Sequence, residues 1–200
     1  MLHKYAPLLT LLLFNLLINS AQARAVETEK WTDKYDRHFK KYSKRYFGPH
    51  FDWRWFKSQG IAESNLDAKA ASHMGAKGIM QILPSTFEDI RKYNPNYLDL
   101  NDPAWNIAAG IFYDRQLYRK WRKPLPSEER LFLAFSSYNA GYGRVLRAVK
   151  RTRKDDYSWI EVKRFLPSET KGYVSRIAAL MDTSDRHRSS SLRALIEMFN

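Results

Sequence analysis

The chain has 200 residues, 34 basic against 21 acidic side chains, a formal net charge of +13 and no cysteine. That is one domain's worth of sequence, long enough to bury an ordinary core, with the apolar and charged fractions of a soluble globular protein. The lack of cysteine excludes disulfides, a thiol nucleophile and a Cys-based metal site. The five histidines, at 3, 38, 50, 73 and 187, form no ligand pair at helical spacing, so neither a metal nor another cofactor is expected.

Residues 1–23 read as a secretory signal peptide. Lys4 gives a positive start, 8–18 is almost wholly apolar, and Ala21-Gln22-Ala23 is a small-x-small cleavage site. The apolar run is shorter than the ~20 residues that span a bilayer, so no transmembrane span is expected after cleavage. Cleavage removes one lysine and no acid, which lowers the net charge from +13 to +12. A basic exported chain is drawn to anionic polymers or surfaces, and export argues against nucleic acid as a partner. The expected location is periplasmic or secreted, in association with the cell wall.

The mature chain is punctuated as helices throughout. Trp31, Tyr35, Phe39, Tyr42 and Tyr46 recur every three or four residues and predict a helix over 31–46 with an aromatic packing stripe. Gly48-Pro49 ends it. A second helix is expected over 52–66, with Phe56, Gln59, Gly60 and Glu63 along one face. Residues 67–80 read as a close-packed loop with exposed backbone N–H groups. Ser85 and Glu88 suggest a capping box for a helix to about 93. Asp102-Pro103 opens a helix to about 121, and Ser127-Glu128-Glu129 opens another that stops at Gly141. A short helix after Gly143, one over 159–164 and a long one over 168–181 complete the series. No alternating strand run is present, so the class is all-α. The expected division is a helical extension over 24–50, a main domain over 51–181 and a basic tail over 182–200. Residues 182–191 have a disordered composition, and 192–199 could form a short helix.

Glu63 is the residue most suited to chemistry. It stands near the end of an apolar helix, on a face shared with aromatic and small residues, just before the Gly-rich loop. Partial burial there raises a carboxyl's pKa and lets it protonate a leaving group near neutral pH. No second acid stands out as its partner. Asp67, Asp89, Asp99, Asp102 and Asp114 are the candidates, with Asp67 the nearest in sequence, although a helix-end turn explains Asp67 better and an N-cap explains Asp102 better.

Four segments in order carry a family likeness: Glu63-Ser64, Gly78-Ile79-Met80-Gln81, Tyr138-Asn139-Ala140-Gly141 and Glu169-Thr170-Lys171-Gly172-Tyr173-Val174. Together, and with Asn106-Ile107 and Ala109-Gly110 between them, they resemble the signatures of the soluble lytic transglycosylases over about residues 50–181. Ile79 replaces the usual leucine, Ser136-Ser137 stands for Ala-Ala, and His73-Met74 stands for Pro and an aliphatic residue. The resemblance implies a lysozyme-like helical domain, of the goose-lysozyme type, with a substrate cleft.

It also implies a reaction on peptidoglycan glycan strands. Glu63 would protonate the oxygen between N-acetylmuramic acid and N-acetylglucosamine. As a carboxylate it would then take the proton of the muramoyl C6 hydroxyl, which attacks C1 and leaves a 1,6-anhydro end without consuming water. Hydrolytic glycosidases use two carboxylates. An intramolecular hydroxyl is already in place, so one acid suffices. By the same resemblance, Ser72, Gln81, Tyr138, Asn139 and Tyr173 would meet the substrate or orient the acid, and Met80 would pack beneath it. Gln81 offers both a donor and an acceptor to an N-acetyl group. A lysozyme-type hydrolase of the same fold and an inactive wall-binding or assembly protein are the competing expectations. The small single domain also suits an enzyme that opens the wall for a secretion or conjugation apparatus.

Overall fold

The computed structural model describes residue 26 and residues 30–121 and 125–181. The expected signal peptide, the 182–200 tail and its short helix therefore lie outside the described residues. Within them the chain folds as eight α-helices: α1 Asp36–Phe47, α2 Arg54–Ser64, α3 Pro84–Arg91, α4 Pro103–Lys120, α5 Ser127–Ala140, α6 Tyr142–Thr152, α7 Trp159–Lys163 and α8 Ser168–Met181. The only β pairings among the described residues are isolated bridges, Ala71 to Lys77 and Lys77 to Ile82. The all-α expectation holds, and no described helix is long and apolar enough to cross a membrane.

α4 forms the centre of the fold. Asp102 caps it by accepting from Ala104 N (2.8 Å) and Trp105 N (3.0 Å), and Pro103 occupies the first helical position, where no N–H is needed. Ile107, Ala108, Ala109, Ile111 and Leu117 are buried along it. α1 and α5 pack against α4, while α8 packs against α2 and α5. Small residues set the closest approach. A Cβ on Gly110 would lie 2.8 Å from the Met80 side chain, so only glycine lets the Gly78-Ile79-Met80-Gln81 segment sit on α4. An aromatic cluster around Phe47, Phe51, Phe56 and Tyr118, with ring centroids 4.6–6.5 Å apart, joins α1, α2 and α4 at the end away from that segment.

Three local expectations change. The first helix begins at Asp36, five residues later than the stripe predicts. Thr32 Oγ1 accepts from Lys34 N (3.2 Å) and Asp33 O accepts from Asp36 N (2.9 Å), so local turn bonds win over helix at 31–35. Trp31 is thereby left outside the helix and only partly buried against the core, whereas Phe39 and Tyr42 are buried within it. Ser85 and Glu88 form no capping box: Pro84 starts α3, Leu83 is the N-cap, and Glu88 pairs with Arg91 at 3.1 Å. The helix after Gly141 is not short; α6 runs 11 residues from Tyr142. A capping box does occur at α7, between Ser158 and Glu161.

Candidate active site

α2 ends at Ser64, and Asn65 and Leu66 follow with left-handed φ values of 56° and 65°. This turn leaves Glu63 at the helix end, partly buried. The Tyr173 hydroxyl, from α8, donates to Glu63 Oε1 at 2.6 Å. Burial pushes the Glu63 carboxyl up to about 7, and the Tyr173 hydrogen bond holds it from rising further. The expectation of a raised pKa is met, with its cause.

The loop beneath Glu63 is fixed by side chains from three helices, α2, α4 and α5. Ser64 Oγ donates to Ile79 O (2.9 Å) and the Tyr138 hydroxyl donates to Met80 O (2.7 Å). Asn106 Oδ1 accepts from Met80 N (2.8 Å), while its Nδ2 donates to Lys77 O (2.9 Å) and Leu100 O (3.1 Å). A Cβ on Gly78 would fall 2.5 Å from that Asn106 amide, and Gly78 has φ +73°, so this position takes glycine for two reasons. Met80 is fully buried, as packing under the acid requires.

The other predicted site residues surround this core and arrive with some of their bonding capacity used. Gln81 Nε2 donates to Gly78 O (2.9 Å) and Ala70 O (3.3 Å), so the loop takes its donor and only Oε1 remains for a ligand. Ser72 Oγ accepts from Ala76 N (3.0 Å); it closes the loop and keeps its own O–H free, with no hydrogen bond to Glu63 among the described residues. Asn139 Oδ1 accepts from the Thr170 hydroxyl (2.8 Å), which ties α5 to α8 and leaves Nδ2 at the surface. Tyr138 stacks edge-on to Tyr113, with centroids 5.4 Å apart. Burial pushes the Tyr138 and Tyr173 hydroxyls well above the usual phenol range, so both act as neutral donors.

The candidates for a second acid separate clearly. Asp67 is exposed and its Oδ1 accepts from Lys69 N (2.8 Å), the turn role. Asp89 pairs with Lys92 and Asp99 bonds the Asn101 backbone, both on the surface. Asp114 differs. It is 0% exposed, on α4, and Gln59 Nε2 donates to its Oδ1 at 3.3 Å. Burial holds its carboxyl well above the usual range; the Gln59 bond works the other way, and the Glu63 charge adds to the rise. Asp114 is therefore the candidate whose carboxyl responds to the Glu63 charge. Sequence reasoning missed the Asp114–Gln59 pair and the part played by Asn106. Both carried a signal, since Asp114 falls on the apolar row of Ile107, Gly110, Ile111 and Leu117.

This geometry matches a known family. Residues 48–160, more than half of the chain, match the Transglycosylase SLT domain. The chain belongs to that family. Over 144 residues it is 34% identical to the membrane-bound lytic murein transglycosylase F of Erwinia tasmaniensis, a match covering 70% of this chain and 27% of the relative. The same-named protein of Yersinia enterocolitica is 31% identical over 135 residues, 62% of this chain and 27% of its own length. Among solved structures, the 70 kDa soluble lytic transglycosylase SLT70 of Escherichia coli matches with a TM-score of 0.61 at 27% identity, over 77% of this chain and 24% of that one. An inactive mutant of Slt from Pseudomonas aeruginosa shares the fold, with a TM-score of 0.62 at 21% identity, over 78% and 24% of the two chains. The chain thus spans about a quarter of the length of these relatives. The SLT match ends before α8, so Tyr173 and Thr170 lie beyond it, although they complete the site by hydrogen bonds.

Proposed function

We propose that this protein is an exported lytic transglycosylase that cleaves the bond between N-acetylmuramic acid and N-acetylglucosamine in peptidoglycan. The observation that carries the reading is the single working carboxyl. Glu63 is held near pKa 7 by burial and oriented by Tyr173, while Asp114, the other acid of the interior, is sealed from any substrate. The membership in the SLT family and the likeness to murein transglycosylases support it.

In the ground state Glu63 carries a proton and gives it to the glycosidic oxygen as the bond to C1 breaks. The resulting carboxylate accepts the proton of the muramoyl C6 hydroxyl as that oxygen bonds to C1. The proton count closes, Glu63 returns to its acid form, and a 1,6-anhydro end results. A pKa near 7 suits both halves of this cycle. No second carboxylate is required, because the nucleophile belongs to the substrate and needs no activated water. Gln81 Oε1 is the acceptor for an N-acetyl N–H, and the Asn139 amide and the Ser72 hydroxyl are donors at the rim. The signal-like N-terminus and the basic charge support a location at the cell wall, periplasmic or secreted.

Mass spectrometry of digested sacculi tests the reading. The wild type should release 1,6-anhydro muropeptides and Glu63→Gln should release them about 10³-fold more slowly. Reducing ends in their place would assign the protein to the hydrolases. Retained binding without any release would make it a wall-binding protein.

A further inference from the structure

Helix α8 contacts the site at regular intervals. Thr170 bonds Asn139, Tyr173 bonds Glu63, and Arg176 bonds Asn65, with Arg176 Nη2 donating to Asn65 Oδ1 at 2.6 Å. These three stations are each three residues apart, about 4.5 Å along the helix at 1.5 Å per residue. The row does not stop at Arg176. Beyond it lies an open groove of about 550 Å³ lined by Lys30, Trp31, Asn65, Arg176, Ala179 and Leu180. Asn65 follows the catalytic candidate by two residues and belongs to both places, so the groove continues the acid's surroundings in one direction.

The lining has the composition of a sugar site. Trp31 packs against the core on one side but is only partly buried, and its open part lines the groove. It makes no ring contact with another aromatic residue among the described residues, and it stands ahead of the helix that begins at Asp36. An indole offers a broad apolar face to the C–H face of a pyranose, and amide and guanidinium groups beside it serve the polar edge. Arg176 spends one N–H group on Asn65 and keeps others, since a guanidinium has five. Lys30 Nζ lies 5.0 Å from the Trp31 ring centre, so the groove carries two cations. Trp31 and Lys30 stand before residue 48, outside the SLT match, in the N-terminal extension that the reaction itself leaves unused.

We propose that this groove is a glycan subsite, built by the N-terminal extension and α8, in which Trp31 stacks on an N-acetylated amino sugar of the strand and Arg176 bonds its polar edge. The occupant is the murein strand itself, because the groove and the catalytic end of α2 share Asn65 and one helix wall. The inference rests on the proposed function for the identity of the strand.

The test uses the full mature chain carrying Glu63→Gln, so that ligand persists, with N-acetylglucosamine dimer and hexamer as probes. The hexamer should bind more tightly than the dimer. Adding Trp31→Ala should weaken hexamer binding about tenfold, the size of one lost aromatic anchor, and Trp31→Phe should restore most of it. The Trp31 indole N–H resonance should shift on hexamer addition, a readout that needs no second substitution and stands if the alanine variant does not fold. Equal hexamer affinity with and without Trp31, or an indole signal the hexamer leaves unmoved, would overturn the subsite. Failure of the proposed function looks different: no 1,6-anhydro products from the wild type, whether or not Trp31 responds to the hexamer.

Discussion

Glu63 and Asp114 are two carboxyls in one helical interior, and burial pushes both of them up. What surrounds each decides what it can do. Glu63 stands at a helix end, partly open, with one phenol donating to it and a loop of fixed geometry below. Asp114 stands mid-helix, fully enclosed, facing an amide. Asp114 Oδ2 and Gln59 Oε1 both lack partners, and a proton on Oδ2 supplies the donor that this pair needs. Burial is the main cause of the rise at both, and the Glu63 charge adds to it at Asp114. In the proposed reaction Glu63 exchanges a proton, whereas Asp114, fully enclosed, meets no substrate.

The largest expected effect breaks this comparison at the cycling acid. Glu63→Gln keeps the shape but cannot exchange a proton, and should lower glycan cleavage by about 10³-fold, the size of a general acid–base contribution. Release of muropeptides per hour from sacculi measures it. Asp114→Asn should not behave this way, because an amide facing Gln59 can restore two hydrogen bonds. Activity in the asparagine variant that falls as far as in Glu63→Gln would show that Asp114 also exchanges a proton, and the comparison would collapse.

Removing the enclosed acid should act on stability. Asp114→Ala leaves the buried Gln59 amide unpaired and a small void beside it, at a cost of about 2–3 kcal/mol. Asp114→Asn should cost under about 1 kcal/mol. Urea unfolding of the two variants reads the difference, and equal losses would remove the pairing argument.

The sequence made one of these carboxyls visible and hid the other, for a physical reason. Glu63 is marked by local features: the helix end, the Gly-rich loop and the ordered segments that follow it. Helix boundaries at Pro103, Gly141 and Ser168 were legible for the same reason, since caps and breakers act on their own neighbours. The apolar row of α4 puts Asp114 on the inward face, but its full enclosure is set by α1, α2 and α5 closing over α4, which no local pattern states. The turn that left Trp31 outside the first helix was a contest between Thr32 and Asp33 side-chain and backbone bonds and the aromatic stripe, and the stripe was the more visible of the two. Gln81 and Asn139 were legible as polar groups at the site. How much of each amide the fold would consume was not.

Tyr173→Phe sharpens the comparison on the side of Glu63. The phenol donates to the carboxylate and so holds its pKa down. Without it the carboxyl should titrate above 7, and the alkaline limb of kcat/KM should move to higher pH, while the lost orientation lowers the rate about tenfold. A limb that moves to lower pH would mean that the hydrogen bond favours the protonated acid.

The smallest effect concerns stability and pH. The Glu63 carboxyl has an ordinary value of 4.5 and sits at about 7 in the folded chain, so the folded state holds its proton more tightly than the unfolded one. The stability this linkage contributes is full below 4.5 and is lost as pH rises through about 7, beyond which the fold must keep a partly buried carboxylate. Glutamine carries no such burden. Glu63→Gln should therefore match the wild type in Tm near pH 4.5 and exceed it by a few degrees well above 7, in proportion to the size of the domain. Parallel Tm curves for the wild type and Glu63→Gln would mean that the acid at the helix end is already open to water, and that its place near 7 owes nothing to burial.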